Sequence, residues 1–312
     1  TTIAIAPRLS TLRHADRLRV VMFHRTLGPD DPRWASCDPD YTLSTERLEQ
    51  SLAFFRRHYN VVSLEQVLAS RRTGAALPPR ALLITFDDGW ADNADYALPA
   101  LRRAGLPALL FVVADAVGTR QPFFQERLIA AWRQGALSVD ELVAALPEDQ
   151  LPAAGVDESI ASLRKVIARL EALDADTRAR VLEPLMARLD DGHRHMVTVE
   201  ELQRLQDGGV ALGLHGKTHT PMRLAEDLDA ELGGAREALA RQLGQPRARA
   251  ESMSFPHGSF DAAIAQRARE AGYELVFTSV PVLNPTGHGV GWLLGRTGFE
   301  TDTVVDGNGN FR

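Results

Sequence analysis

Leu82-Leu83-Ile84-Thr85-Phe86-Asp87-Asp88-Gly89-Trp90 is an apolar, β-prone run that ends abruptly in two carboxylates and a glycine. Apolar residues at successive positions suit a strand covered on both faces, as in a parallel sheet or barrel. Such folds place their chemistry at the C-terminal ends of the strands, which is where the two acids stand. Side chains alternate along a strand, so Asp87 and Asp88 should diverge unless the chain is already turning there, and they are read as having different tasks. Taken alone, the segment is equally compatible with an Asp-Asp-Gly turn in which one Asp caps the next helix.

Upstream, Leu18 to His24 reads as a first buried strand with a histidine at its exit, followed by a Pro/Gly/Asp-rich loop to Asp40. Ser44-Thr45-Glu46-Arg47 opens a helix with a capping-box pattern, and Leu48, Leu52 and Phe55 give it an apolar stripe. A short strand over Val61 to Ser63 and a short helix over Leu64 to Ser70 lead to Pro78-Pro79. Downstream, Asn93 to Arg103 is a helix stopped by Gly105, and Ala108 to Val113 is a strand.

From about Gln121 to His195 the rhythm changes to helical patterns at 124–134, 138–146, 158–172 and 175–189. This stretch is read as an insertion with a solvated charged face and no chemistry of its own. His193 and His195 near its exit are expected at the surface. Alternation then resumes. Thr198 caps a helix to Asp207, and Val210 to Leu214 is a strand ending in His215. A long helix over Leu224 to Leu243 comes next, then a strand from Ser252 to Phe255, a helix from Asp261 to Ala271, and a strand from Leu275 to Thr278. Repeated strand-then-helix order implies parallel strands joined by right-handed crossovers.

The 312-residue chain is 45% hydrophobic, enough for a large core, and its net charge of −6 argues against a nucleic-acid or anionic-membrane partner. One cysteine, Cys37, excludes an intramolecular disulfide. Residues 1–17 contain no apolar run long enough for a signal-peptide core or a membrane span, which makes a cytoplasmic protein the simplest expectation. A chain that does not begin with Met is also compatible with an exported form whose signal has been removed. The Gly-rich 304–312 end is expected to fray.

His215-Gly216-Lys217-Thr218-His219 places two imidazoles four residues apart at a strand exit, where both can reach one cation, and one strand-end carboxylate would complete a facial triad. Loop histidines bonded to backbone are the plainer alternative. Together these motifs resemble the polysaccharide deacetylases, metal-dependent carbohydrate esterases with a distorted (β/α)7 barrel. Thr85-Phe86-Asp87-Asp88-Gly89 is similar to that family's first motif, His215 and His219 to its second, and Ser254-Phe255-Pro256-His257-Gly258 to its third.

The resemblance implies an α/β fold, a distorted (β/α)7-type barrel of parallel strands over 18–120 and 196–303, interrupted by the helical insertion 121–195. It implies a divalent metal, Zn²⁺ by donor set, on Asp88, His215 and His219, with Asp87 as catalytic base and the His257 N–H as oxyanion donor. The family's usual C-terminal catalytic His has no counterpart here. However, Val21-Met22-Phe23-His24-Arg25 resembles the start of exopolysaccharide and capsule-type members, in which an N-terminal strand His is the acid, so His24 takes that role.

Two departures stand out. Gly216 replaces the usual hydroxyl residue, and Ser254 replaces the usual Arg, leaving Asp87 without the partner that orients it. The implied substrate is an N-acetylated saccharide. The rival readings are a related metal-dependent hydrolase of a small amide or formamido sugar, and a sugar-binding pseudoenzyme. A glycosidase using Asp87 and Asp88 is weak, because adjacent residues rarely set carboxyls about 5 to 9.5 Å apart across a sugar.

Overall fold

The computed structural model describes residues 15–152, 156–244 and 250–299. The expected frayed end at 304–312 and most of the 1–17 extension lie outside them, and Arg17 already opens the first strand. In chain order the strands are β1 (Arg17–Phe23), β2 (Arg25–Leu27), β3 (Thr42–Ser44), β4 (Asn60–Val61), β5 (Ala81–Phe86) and β6 (Ala108–Val112). They continue as β7 (Val210–Leu214), β8 (Ser252–Ser254), β9 (Leu275–Phe277), β10 (Asn284–Pro285), β11 (Leu293–Leu294) and β12 (Thr297–Gly298). The helices are α1 (Thr45–His58), α2 (Leu64–Thr73), α3 (Leu98–Ala104), α4 (Phe124–Arg133) and α5 (Val139–Ala144). After them come α6 (Ile160–Ala172), α7 (Ala175–Leu182), α8 (Val199–Asp207), α9 (Ala235–Gln242) and α10 (Ala262–Glu270).

Local chemistry sets these boundaries. Ser44 accepts a hydrogen bond from the Arg47 N–H at the start of α1, while Thr198 and Glu201 form a reciprocal capping box at the start of α8. The helix expected from Leu224 starts later. Asp227 accepts from the Ala230 N–H, so the chain becomes helical only there, passing through a wide turn at Ala230–Gly234 into α9.

β1, β5, β6, β7, β8 and β9 pair side by side in that order, all parallel. β11 extends the sheet beyond β9, and β12 pairs with β1 at the other end, both parallel again. Because β11 and β12 are halves of one stretch, 293–298, the ring closes through Gly295-Arg296 as a seven-membered barrel whose last strand is broken. The family-type barrel expected from sequence is therefore present, but one of its strands was misplaced. The stretch at 61–63 forms only the stub β4, pairing with the first residues of β5. The real seventh strand carries a glycine and an arginine where a buried strand would be apolar.

Alternate strand residues divide the core. Leu18, Val20, Leu83, Leu109, Phe111, Leu275 and Phe277 form one cluster, stoppered by Leu64, Val67 and Leu68 of α2. Val21, Phe23, Leu82, Ile84, Phe86 and Leu110 join the helices in another. Leu83, Thr85 and Asp87 thus fall on one row, which places Asp87 at the mouth of the barrel interior. Residues 124–189 fold α4 to α7 around an apolar core of their own, which includes Leu128, Leu142, Leu163, Val166 and Leu170.

Candidate active site

β5 ends at Phe86, and the two acids follow it on a backbone that turns sharply. Asp88 has φ 77° and Gly89 φ 86°, both in the left-handed region. That turn overrides strand alternation, so Asp87 and Asp88 line one cleft instead of diverging. A non-glycine residue held this way costs of order 1–3 kcal/mol, and three of the four such residues among those described, Asp88, His219 and His257, stand at this cleft.

Asp87 is gripped by Arg296. The guanidinium Nη1 and Nη2 donate to Asp87 Oδ1 and Oδ2 at 2.6 and 2.8 Å, with both side chains at most 2% exposed. The fork is itself fixed, Nε donating to the Thr278 carbonyl at 3.2 Å and the guanidinium lying over the Phe111 ring. Burial pushes the Asp87 pKa up, but the charge of Arg296, followed by that of His215, outweighs it and holds the carboxyl below its usual range. The expectation that Ser254 leaves the base without a partner is corrected here. The barrel's closing strand supplies one from 209 residues away.

Ser254 Oγ donates to Asp87 Oδ1 only at 3.5 Å, and its closer contact is with His215. His215 Nδ1 lies 2.6 Å from Ser254 Oγ and 3.1 Å from the Ser254 carbonyl. With Nδ1 donating to the Ser254 carbonyl and hydroxyl, Nε2 is free as a ligand atom. Desolvation outweighs the neighbouring carboxylates and lowers the His215 pKa to about 4, keeping the ring neutral as a ligand must be.

Asp88 Oδ2 accepts from Trp90 Nε1 at 2.9 Å. Its other oxygen, Oδ1, is buried without a hydrogen-bond partner among the described residues. It lies 3.4 Å from His215 Nε2 and 3.3 Å from His219 Nε2, and the three ligand atoms fall within 4.8 Å of one another. A tetrahedral cation with ligands about 2.0–2.1 Å away separates them by roughly 3.4 Å, so this donor set fits Zn²⁺. Burial raises the Asp88 pKa, but the close approach of His219, then the charges of His24 and His215, take it far below the carboxylate range.

The loop carrying both histidines is held from behind. Glu231 accepts from the Lys217 N–H at 2.8 Å, the Thr218 N–H at 3.1 Å and the Thr218 hydroxyl at 2.5 Å. Gly216 has φ 73°, and a Cβ there would come within 3.1 to 3.2 Å of Glu231, Met222 and Pro256. A side chain there would be strained by that φ and would have to push these neighbours back by a few tenths of an ångström, and Glu231 holds the loop without one. Phe123 stacks on His219, with ring centroids 4.0 Å apart.

His24 and His257 border the same cleft of about 550 Å³ as Asp87, Asp88, His215 and His219. His24 packs edge-on against Tyr41, its carbonyl accepts from Asn93 Nδ2, and its Nδ1 is buried without a partner among the described residues. Desolvation, then His219 and His215, lowers the His257 pKa, although 30% of its side chain remains exposed and solvent tempers the shift.

Two expectations about the insertion are overturned. His195 is not at the surface. It is 3% exposed, with Nε2 2.8 Å from Asp191 and Nδ1 3.3 Å from Arg25. Arg25 in turn pairs with Asp92 and lies over the Trp90 ring that holds Asp88. Nor do all the insertion's charges stand on a solvated face, since Glu126 of α4 borders the cleft. Burial, then the charge of Asp38, raises its pKa to about 8. No short motif marks these residues in the sequence.

Residues 74–276 match the family model described as polysaccharide deacetylase, and the chain belongs to that family. His24 lies before the matched span. The chain is 30% identical over 102 residues to the poly-beta-1,6-N-acetyl-D-glucosamine N-deacetylase of Escherichia coli K12, an alignment covering 30% of this chain and 15% of that protein's length. Its fold resembles that of IcaB from Ammonifex degensii, with TM-score 0.58 and 20% identity over 92% of this chain and 94% of that one. It also resembles the Streptococcus pyogenes deacetylase PplD in complex with acetate, with TM-score 0.57 and 14% identity over 92% and 93%.

Proposed function

We propose that this protein is a metal-dependent hydrolase that removes N-acetyl groups from an amino-sugar-containing saccharide. The observation that carries the reading is the convergence of one unpartnered, buried carboxylate oxygen and two imidazole nitrogens beside a second carboxylate clamped in its charged form. Asp88, His215 and His219 would hold a divalent cation, Zn²⁺ by donor type, which when bound supplies Lewis-acid polarisation and lowers the pKa of water towards about 7. Asp87, kept ionised by Arg296, takes the proton of the attacking water. His24 protonates the leaving nitrogen, and the His257 N–H serves the oxyanion. The Arg296 clamp supports catalysis over the pseudoenzyme alternative, since Asp87 has an orienting partner after all. The E. coli relative's name makes an N-acetylglucosamine polymer the first substrate to try.

The test separates ligand from base. His215→Ala and His219→Ala should each lose the metal by elemental analysis, together with release of acetate. Asp87→Asn should keep the metal and lose roughly 10²-fold or more in kcat, the typical worth of a general base. Metal loss in Asp87→Asn would exchange the roles of the two acids. Formate released from an N-formyl sugar, with no acetate from N-acetyl sugars, would favour the formamido-sugar reading.

A further inference from the structure

Asp191, His195, Arg25 and Asp92 form an unbroken chain of buried polar side chains that the proposed reaction does not use. Each side chain is at most 4% exposed. Asp191 Oδ2 lies 2.8 Å from His195 Nε2, and His195 Nδ1 lies 3.3 Å from Arg25 Nη2. Arg25 donates from Nη2 and Nε to Asp92 at 2.8 and 3.0 Å. A guanidinium can only donate, so His195 Nδ1 is the acceptor and the ring gives its Nε2 proton to Asp191. Burial, with the charge of Arg25, outweighs the Asp191 contact and lowers the His195 pKa, which keeps the ring in the neutral form this requires.

Such a chain is costly to bury, and apolar residues of similar volume are often as stable or more so. Its value lies in where it leads. Arg25 lies over the Trp90 ring, 4.3 Å from the centroid, and Trp90 Nε1 donates to Asp88 Oδ2 at 2.9 Å. The exit of the insertion is also stitched by backbone to the residues on either side of Trp90. The Ala91 N–H donates to the His195 carbonyl at 2.7 Å, and the Val197 N–H to the Gly89 carbonyl at 3.0 Å. The backbone thus fixes where Trp90 stands, and Arg25, anchored by Asp92 and His195 together, bears on how its ring is turned.

We propose that His195 and Asp191 are positioning residues for the metal site: they hold Arg25 against Trp90, and Trp90 sets the carboxylate of Asp88, so that the end of the insertion tunes metal affinity. The inference rests on the metal reading of Asp88, His215 and His219 and deepens it.

Zn²⁺ affinity, measured by chelator competition, tests it. Trp90→Phe removes the donor to Asp88 and should weaken Zn²⁺ about 10- to 100-fold, as loss of a partner behind a ligand usually does. His195→Ala should weaken it about tenfold. His195→Asn keeps an acceptor for Arg25 and a donor for Asp191, so it should recover most of that loss. Because the effect runs through Trp90, His195→Ala should add nothing further in the Trp90→Phe background. An equal loss in both backgrounds would make His195 a structural residue only and overturn the proposal, as would wild-type affinity in His195→Ala. Should His195→Ala fail to fold, His195→Phe combined with Asp191→Leu leaves neither member of the pair buried alone and carries the same cycle with the same outcomes.

The indole N–H resonance of Trp90, assigned by its loss in Trp90→Phe, gives a reading with no metal present. It should shift in metal-free His195→Ala and return towards its wild-type position in His195→Asn. That shift, alongside a wild type that holds no Zn²⁺, would uphold the positioning of Trp90 and overturn the metal reading. A resonance that stays in place would overturn the positioning role.

Discussion

Asp87 must be ionised to act as a base, and Arg296 meets that need by charge and by geometry together. Replacing Arg296 with Met should let burial dominate, raising the Asp87 pKa and moving the acidic limb of the pH–rate profile to higher pH. The bound metal should be unaffected, because Arg296 touches none of its ligands, while kcat at neutral pH should fall roughly 10²-fold as the base loses its alignment. Unfolding by denaturant should show a loss of about 3–5 kcal/mol, the cost of leaving one buried charge unpaired. Arg296→Lys keeps the charge but not the two-pronged contact, so it should restore part of the pH profile and little of kcat. If both variants retain wild-type profiles, Asp87 is not the group that titrates. The acid is tested in the same way. His24→Ala should retain metal and lose roughly 10²-fold or more in kcat, whereas an inactive, metal-loaded His257→Ala beside an active His24→Ala would transfer the role.

The loop from His215 to His219 depends on Glu231 more than on its own sequence. Glu231→Ala should leave the ligands intact and weaken metal affinity about 10- to 100-fold in chelator competition, as loss of an outer support usually does. An unchanged affinity would mean that Gly216 and its packing suffice. This contrast marks what could be read from sequence. Asp87-Asp88, the histidine pair and the strand ending in His24 are contiguous signals, each a strand running into ligand-type residues, and the site is built where they end. Arg296, Glu231 and His195 carry no such signal. Arg296 and His195 act on partners brought together only by the tertiary fold, Arg296 on Asp87 and His195 on Arg25 from 170 residues away. Glu231 reaches Lys217 and Thr218 by a turn of the chain after β7 that no short motif marks. The helices of the insertion were legible from their periodicity. That α4 sets Glu126 at the border of the cleft was not, because periodicity tells which face is buried and not what it is buried against.

Barrel closure and the placing of Arg296 on Asp87 are one structural event in this chain. The break between β11 and β12 is held by Asn284, which is 3% exposed. Its Oδ1 accepts from the Gly295 N–H at 2.8 Å, and its Nδ2 donates to the carbonyls of Gly295 at 3.0 Å and Leu18 at 3.3 Å. Gly295 is confined as well, since a Cβ there would meet Val282 Cγ2 at 2.3 Å and the Val280 carbonyl at 2.4 Å. Arg296 is the next residue, so a looser seam should move the guanidinium that holds Asp87. Asn284→Ala leaves buried backbone groups unpaired and should cost about 1–3 kcal/mol in stability. It should also lower kcat of the metal-saturated enzyme with no change in metal affinity. Ser70→Ala is the control. It removes a buried hydroxyl that donates to the Ala75 carbonyl at 2.6 Å at the end of α2, a bond that involves neither Asn284, Gly295 nor Arg296, so it should lower stability and leave kcat intact. If the two variants lose kcat in proportion to their stability, the seam matters only for folding. If Asn284→Ala alone loses kcat, the closing strand sets the position of the base as well as the end of the barrel.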